Sequence, residues 1–556
     1  MQRLELTWIG KGNEPEVEPR ILLHDPSKDY GDPNTENMLI HGDNLLALKA
    51  LEQQFAGQVK CIYIDPPYNT GEAFEYYDDN LEHSIWLGLM YARIKILKNL
   101  LSDDGFFCCQ IDDSEGHYLK AMLDEVFGRD GYYQTTIYIR VRYPEKTLKQ
   151  DMAFHKEIEQ VHVYRKSGAA KPILDKVAAG YEKFKYRIET SGEPAKVLQL
   201  GGKRVEVYEK GKYKIIEEEG SEYGLKEIWA SGTILDGNSS GRFFRDYLTG
   251  RYEEDGYGVI YKVEGIGDDR YDYRFFTGPN REGATKGKYY QGVPLDKLAS
   301  GEMTRSVPIN GFLDLAAYFG NCRQEGGAEF RGGKKPEILI KTLLSHFTEE
   351  GDIVLDSFLG SGTTAAVAHK MNRRYIGVEL GDHCYTLCMP RLQRVIDGDK
   401  TGISQEVGWT GGGGYKFYEL APTLIEKDKY GNPVFSDKYN PEMLVAAVIK
   451  VNGYYYAPDS NIFWKQGFCQ DNSFIYVTTQ YLTAQALDSI ASDVGAFENL
   501  LICAPAFDVG LNKRYDNITV KKIPQSVLDK CEFGADNYNL NIVDVPDLDE
   551  EDWDND

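Results

Sequence analysis

"GDIVLDSFLGSGTTAAVAHKMNRRYIGVEL", Gly351 to Leu380, is the stretch whose reading decides the fold. Its "DIVLD" is a short apolar run of strand length, "LGSG" a glycine turn, "TTAAVAHKM" a helical stretch, and "RYIGVEL" a second strand ending in Glu379. Strand, helix and strand in that order make a βαβ unit, which belongs in a mostly parallel sheet with helices on both faces. Gly360, Gly362 and Ala365 satisfy the spacing G-x-G-x-x-G/A. Glu379 lies near the offset at which an acid takes ribose hydroxyls. Taken alone, this fingerprint points to an oxidoreductase that uses NAD.

A second stretch, "CIYIDPPYNTG" from Cys61 to Gly71, shifts that reading. An apolar strand runs straight into an acid, two prolines and a tyrosine. Two prolines fix two φ angles and keep the residue before each extended, so Asp65 and Tyr68 are presented from stiff backbone. A dehydrogenase has no use for Asp-Pro-Pro-Tyr.

Together with Asp356 and Phe358 just before the glycines, this motif resembles the amino-group DNA methyltransferases that use S-adenosylmethionine. Their methylation motif is Asp-Pro-Pro-Tyr, here Asp65-Pro66-Pro67-Tyr68, and their cofactor motif is close to Asp-x-Phe-x-Gly-x-Gly, here Asp356 to Gly362. The catalytic motif comes first and the cofactor motif last, as in the β arrangement of that family. The longer form Asp-Pro-Pro-Tyr-Asn-Thr-Gly, matched by residues 65 to 71, is similar to the modification subunits of type III restriction systems. "HGDNLLALKAL" from His41 resembles the segment whose acid, here Asp43, reaches the cofactor adenine, and "GGKKPEILIKTLL" from Gly332 resembles the lysine-proline helix before the cofactor strand. The resemblance covers residues 37 to 166 and 330 to 390. It implies a doubly wound, Rossmann-like core, double-stranded DNA as substrate, a restriction or defence subunit as partner, and a homodimer.

The chemistry fits the residues. An exocyclic base amine is a poor nucleophile because its lone pair is delocalised into the ring. On the resemblance, Asp65 and the Pro66 carbonyl would accept its two hydrogens and restore that lone pair, with Pro67 holding the geometry. A misplacement of about 1 Å costs a factor of about 100 in rate, which gives the prolines a reason. Tyr68 would stack on a base that has left the duplex. On the cofactor side, Gly360 and Gly362 admit close backbone approach and Phe358 packs beside the methionine portion. Glu379 would accept the ribose hydroxyls, and Asp43 would take the adenine amine or serve only as a cap. Thr363, at the helix start, joins Asp356 on the cofactor side or serves only as a helix N-cap. Asp-Pro-Pro-Tyr serves adenine N6 and cytosine N4 equally, and adenine is preferred only on the type III resemblance.

At 556 residues the chain exceeds one core. Its net charge of −24 argues against nucleic acid until the tail is set apart, since Asp544 to Asp556 holds eight acids and no base. Gln134 to Lys214, by contrast, holds 18 Lys or Arg against 10 Asp or Glu. Nine scattered cysteines suit a reducing compartment, and the cluster His383, Cys384 and Cys388 lacks the ligands for a metal site, so none is assigned. No apolar run approaches the length of about 20 residues that spans a bilayer, and a cytoplasmic, membrane-free protein is expected. The expected organisation is an N-terminal extension over 1–36, a catalytic half over 37–164, and a target recognition domain over 165–330. A cofactor half over 331–400, a small α/β domain over 410–543 and a solvated acidic tail over 544–556 follow. In the recognition segment "RFFRDY", "RYDYRFF" and "GKYYQG" interleave aromatic and basic residues, a composition suited to stacking and phosphate contact. A recognition subunit serving a nuclease complex is a further reading.

Overall fold

The computed structural model describes residues 5–12, 17–69, 83–144, 154–178, 180–230, 239–284, 286–300, 304–329, 333–427, 429–430, 432–470 and 472–523. Thr70 and Gly71 of the proline motif and the acidic tail lie outside them. The chain divides into two compact units, Leu174–Ile309 and the remainder.

The larger unit is built on an eleven-stranded sheet. Its ten-strand path runs Leu22–His24, Gly414–Leu420, Met38–His41, Arg374–Glu379, Ile353–Asp356, Val59–Ile64, Leu101–Ile111, Ile158–Arg165, Tyr133–Arg140 and Phe312–Asp314. The central pairings, from Gly414–Leu420 to Leu101–Ile111, are all parallel. Antiparallel pairs appear only toward the edges. Side chains alternate across such a sheet. Ile62, Ile64, Phe107 and Leu355 enter a core with Leu48, Met90 and Leu119, from helices Asn44–Phe55, His83–Leu100 and Gly116–Phe127. Phe106, pointing the other way, stacks on Phe347 of helix Glu337–Phe347 at 4.6 Å. Helices therefore cover both faces, the doubly wound α/β arrangement that the βαβ reading predicts.

Three boundaries differ from expectation. The N-terminal segment does more than overlie the core, because Leu22–His24 and Tyr30–Gly31 add edge strands to the sheet. "TGGGGY", which by sequence reads as a linker or an ordered turn, is the turn, with Gly411, Gly412 and Gly413 all at positive φ, and it feeds Gly414–Leu420 into the sheet beside Met38–His41. The core thus runs on to Leu420 instead of stopping at 400. Phe312–Asp314, placed in the recognition segment by sequence, pairs with Tyr138–Arg140 in the same sheet.

Beyond it lies a five-stranded sheet, Tyr455–Tyr456 to Ile518–Lys522, with helices Pro441–Val451 and Ala484–Asp493. Lys450 Nζ donates to the Ala50 carbonyl at 2.6 Å and Gln53 to the Tyr454 carbonyl at 2.6 Å, which ties this layer to the first helix of the core.

Leu174–Ile309 carries a six-stranded antiparallel sheet in the order Lys196–Leu200, Lys203–Tyr208, Ile260–Glu264, Tyr273–Thr277, Gly287–Gln291, Lys226–Ala230. Phe243, Phe244, Phe275, Phe276, Tyr289 and Tyr290 are buried in it. Most of the aromatic residues read as candidates for base stacking are therefore core, because a small sheet needs large apolar side chains to fill it. Trp229 and Tyr223 remain exposed, at 59% and 63%.

Candidate active site

Val59–Ile64 and Ile353–Asp356 are parallel neighbours, with Cys61 opposite Val354 and Ile62 opposite Leu355. Both strands end on one edge of the sheet, so Asp65 and the loop from Asp356 to Gly362 emerge side by side. Crevices at the carboxyl ends of parallel strands are where such sheets hold ligands.

The proline motif is fixed from behind. Trp86 Nε1 donates to the Pro67 carbonyl at 2.8 Å, while among the described residues none donates to the carbonyl of Pro66. Asp65 sits in a charged cluster. Lys335 Nζ is 2.7 Å from Asp65 Oδ2, and the Tyr68 hydroxyl is 2.7 Å from Asp65 Oδ1 and 2.8 Å from Glu159 Oε2. Gln110 donates to Glu159 Oε2 at 2.5 Å and accepts from Tyr63 at 2.5 Å. Burial pushes the Asp65 carboxyl above the ordinary range; Lys335 opposes this and the negative field of Glu159 adds to it. Burial first, and Asp65 next, push the Tyr68 phenol far up, so it stays a neutral hydroxyl.

The glycine loop is held by its acids. Asp356 accepts from the Phe358 N–H at 2.9 Å and from the Thr364 hydroxyl at 2.5 Å, and burial pushes its carboxyl up to about 7. Glu379 accepts from the N–H groups of Gly360 at 2.6 Å, Leu380 at 2.8 Å and Gly381 at 3.2 Å. Asn44 donates to the Ser357 carbonyl at 2.7 Å, which joins the segment after His41 to this loop. Asp43, Asp356, Phe358, Gly360 and Glu379 thus share one rim.

Asp43 shows the cap that the sequence reading held open, and the helix start of the glycine loop differs from expectation. Asp43 is the N-cap of Asn44–Phe55, accepting from Leu46 N–H at 3.1 Å, and its other oxygen faces Arg93 at 3.4 Å. Thr363 does not cap its helix. Gly362 does, at φ 78°, and the Thr363 hydroxyl accepts from Arg391 at 2.7 Å behind the loop. A Cβ on Gly362 would meet Cys388 at 3.6 Å, whereas one on Gly360, at φ 56°, would meet nothing nearer than the Phe358 carbonyl at 4.0 Å. Gly360 is the open position of the cradle and Gly362 the packed one. The open Gly360 side of the loop fits a nucleoside, with Glu379 beside it as the ribose acceptor, 2% exposed and with His383 Nε2 3.0 Å from its Oε1.

Sequence reasoning missed Lys335, Glu159, Gln110 and Trp86. Lys335 lies in a segment read as a helix start, with no hint of a partner. Glu159 left a faint signal, sharing the period-two face of buried Val161 and Val163, where an acid needs a reason.

Residues 59–389 match the DNA methylase family, and the chain belongs to it. It is 35% identical over 427 residues to the probable type III restriction-modification enzyme HindVI Mod subunit of Haemophilus influenzae, covering 70% of this chain and 54% of that one. It is 27% identical over 395 residues to the StyLTI Mod subunit of Salmonella typhimurium, covering 64% and 52%. The EcoP15I Mod subunit of Escherichia coli is 24% identical over 501 residues, covering 76% and 72%. The chain spans about half the length of the first two of these relatives. Among the described residues no helix is long and apolar enough to cross a membrane.

Proposed function

We propose that this chain transfers a methyl group from S-adenosylmethionine to adenine N6 in double-stranded DNA, in the cytoplasm, as a homodimeric modification component beside a restriction or related defence subunit. The observation that carries the reading is the placement of Asp65 one strand from the Asp356 to Gly362 loop, on a shared sheet edge. The named relatives, all type III Mod subunits, support the restriction-modification context, and adenine follows from the likeness of Asp65 to Gly71 to that group's motif.

The cofactor supplies an electrophilic methyl carbon on a positively charged sulfur. Glu379 and the Gly360 backbone would hold its ribose side, with Phe358 alongside. Asp65 and the Pro66 carbonyl accept the hydrogens of the target amine, so its lone pair is directed away from them. Preorganised acceptors of this kind act mainly through position and charge placement. Tyr68 offers its ring to the extruded base, which must leave the stack to be reached.

The unit Leu174–Ile309 supplies target recognition on this reading. Its exposed Trp229 sits 4.7 Å under Lys288 and its exposed Tyr223 4.0 Å under Arg270, pairs that suit stacking with phosphate contact. The test is incubation of the purified chain with S-adenosylmethionine and unmodified duplex bacterial DNA, followed by nucleoside mass spectrometry. N6-methyladenine is expected. N4-methylcytosine would move the reaction to the other amine, and no methylated nucleoside would overturn the proposal.

A further inference from the structure

Tyr68 Oη lies 2.7 Å from Asp65 Oδ1 and 2.8 Å from Glu159 Oε2. A phenol carries one hydrogen. It can donate to one of these carboxyls, and the other contact then sets two bare oxygens together unless that carboxyl brings a hydrogen of its own. Charge points the same way. Among the described residues Asp65 and Glu159 share a single cation, Lys335, 2.7 Å from the first and 3.8 Å from the second. Gln110 and Tyr63 complete the cluster but add no charge. A partly buried pair of carboxyls beside one described counter-ion favours holding one proton between them.

We infer that Asp65, Tyr68 and Glu159 form a proton relay, in which the proton shed by the methylated amine enters at Asp65 and comes to rest on Glu159. The inference rests on the methyltransferase reading above. When the amine lone pair bonds the methyl carbon and the carbon–sulfur pair stays on sulfur, the nitrogen carries one hydrogen too many. Its N–H bond breaks toward Asp65, forming a carboxylic acid. That hydrogen passes to Tyr68 Oη as the phenol hydrogen passes to Glu159 Oε2. The amine ends neutral, Tyr68 is regenerated, and Glu159 holds the proton. The Asp65 side chain is 19% exposed and that of Glu159 15%; a base whose amine sits on Asp65 covers the first, and water collects the proton at the second. In the resting site the relay holds one proton and releases it before the reaction, so that both carboxyls are ionised when the amine arrives. Glu159 touches neither base nor cofactor and is a positioning residue, acting through Tyr68.

The experiment uses the full chain with E159Q, Y68F and the double variant. Calorimetry in two buffers of different ionisation enthalpy reads protons released on ligand binding near neutral pH. The parent should release about one proton with S-adenosylmethionine, whose sulfur is cationic, and none with neutral S-adenosylhomocysteine; E159Q should release none with either. Single-turnover methylation of unmodified duplex bacterial DNA should fall roughly tenfold or more in each single variant, with the double variant no slower than the worse single one. Without the like charge of Glu159, the acid limb of the E159Q rate profile should move to lower pH. S-adenosylhomocysteine affinity within about twofold of the parent's would show an intact fold, and Y68F gives an independent break in the relay. A parent that methylates DNA while E159Q matches its rate, acid limb and proton release would overturn the relay alone. A parent that methylates no DNA would overturn the enzymatic reading and the relay with it.

Discussion

Lys335 places its ammonium 2.7 Å from Asp65 Oδ2 and 5.0 Å from the centre of the Tyr68 ring. Lys335, one residue before the Pro336 cap of helix Glu337–Phe347, thereby supplies the counter-charge to the acid of the proline motif from a segment some 270 residues further along the chain.

Lys335→Met should therefore disable Asp65. Lys335 is the main influence holding that carboxyl down against burial, so its loss raises the Asp65 pKa further. The acid limb of the methylation profile should move to higher pH, with a loss of tenfold or more near neutrality. Removing one partner of a buried pair costs about 3–5 kcal/mol, and less where the stranded acid can take up a proton. Denaturant melts of parent and variant should thus diverge more at high pH than at low pH.

Asp356 gives a pH signature of its own. Its carboxyl, pushed up to about 7 by burial, favours the folded state most when protonated. That contribution is complete below the ordinary aspartate value near 4 and is lost as pH rises through about 7. Asp356→Asn keeps an acceptor for the Phe358 N–H and removes the titration. Relative to the variant, the parent should lose on the order of 4 kcal/mol across that window. Parallel stability curves would contradict the assignment.

The two loop glycines should separate. Gly362→Ala meets Cys388 and a φ of 78°, so it should cost about 1–2 kcal/mol of stability with little change in S-adenosylhomocysteine affinity. Gly360→Ala carries similar backbone strain, at φ 56°, but sends its methyl into the open side of the loop and should weaken that affinity at least severalfold. Calorimetry beside thermal melts distinguishes the two.

What the sequence made legible was local. The strand ending in Asp65, the βαβ unit and the shared rim all follow from short runs whose period and punctuation need no distant partner. The sheet place of Gly414–Leu420 was not legible, because its neighbour Met38–His41 lies far away in sequence and a glycine run before it looks like a linker. Asp43 shows the ambiguity of an acid at a helix start, where capping and ligand contact ask for the same residue. The aromatic residues of "RFFRDY" misled for a related reason, since a basic neighbour says nothing about which way a ring points.

Trp229, exposed and paired with Lys288, should contribute to DNA binding and to nothing in the cofactor site. Trp229→Ala should weaken duplex binding by about 1–3 kcal/mol, the usual worth of a lost base stack, with S-adenosylhomocysteine affinity unchanged. Fluorescence anisotropy with labelled DNA reads the first and calorimetry the second.

The central claim is that Asp65 directs methyl transfer to adenine N6. The most direct measurement is modified-base sequencing of DNA from cells expressing either the parent or Asp65→Ala, in a host lacking its own adenine methylation. The account predicts N6-methyladenine in one defined sequence context with the parent and none with the variant. Unmodified DNA from the parent, or equal modification by the variant, would contradict it.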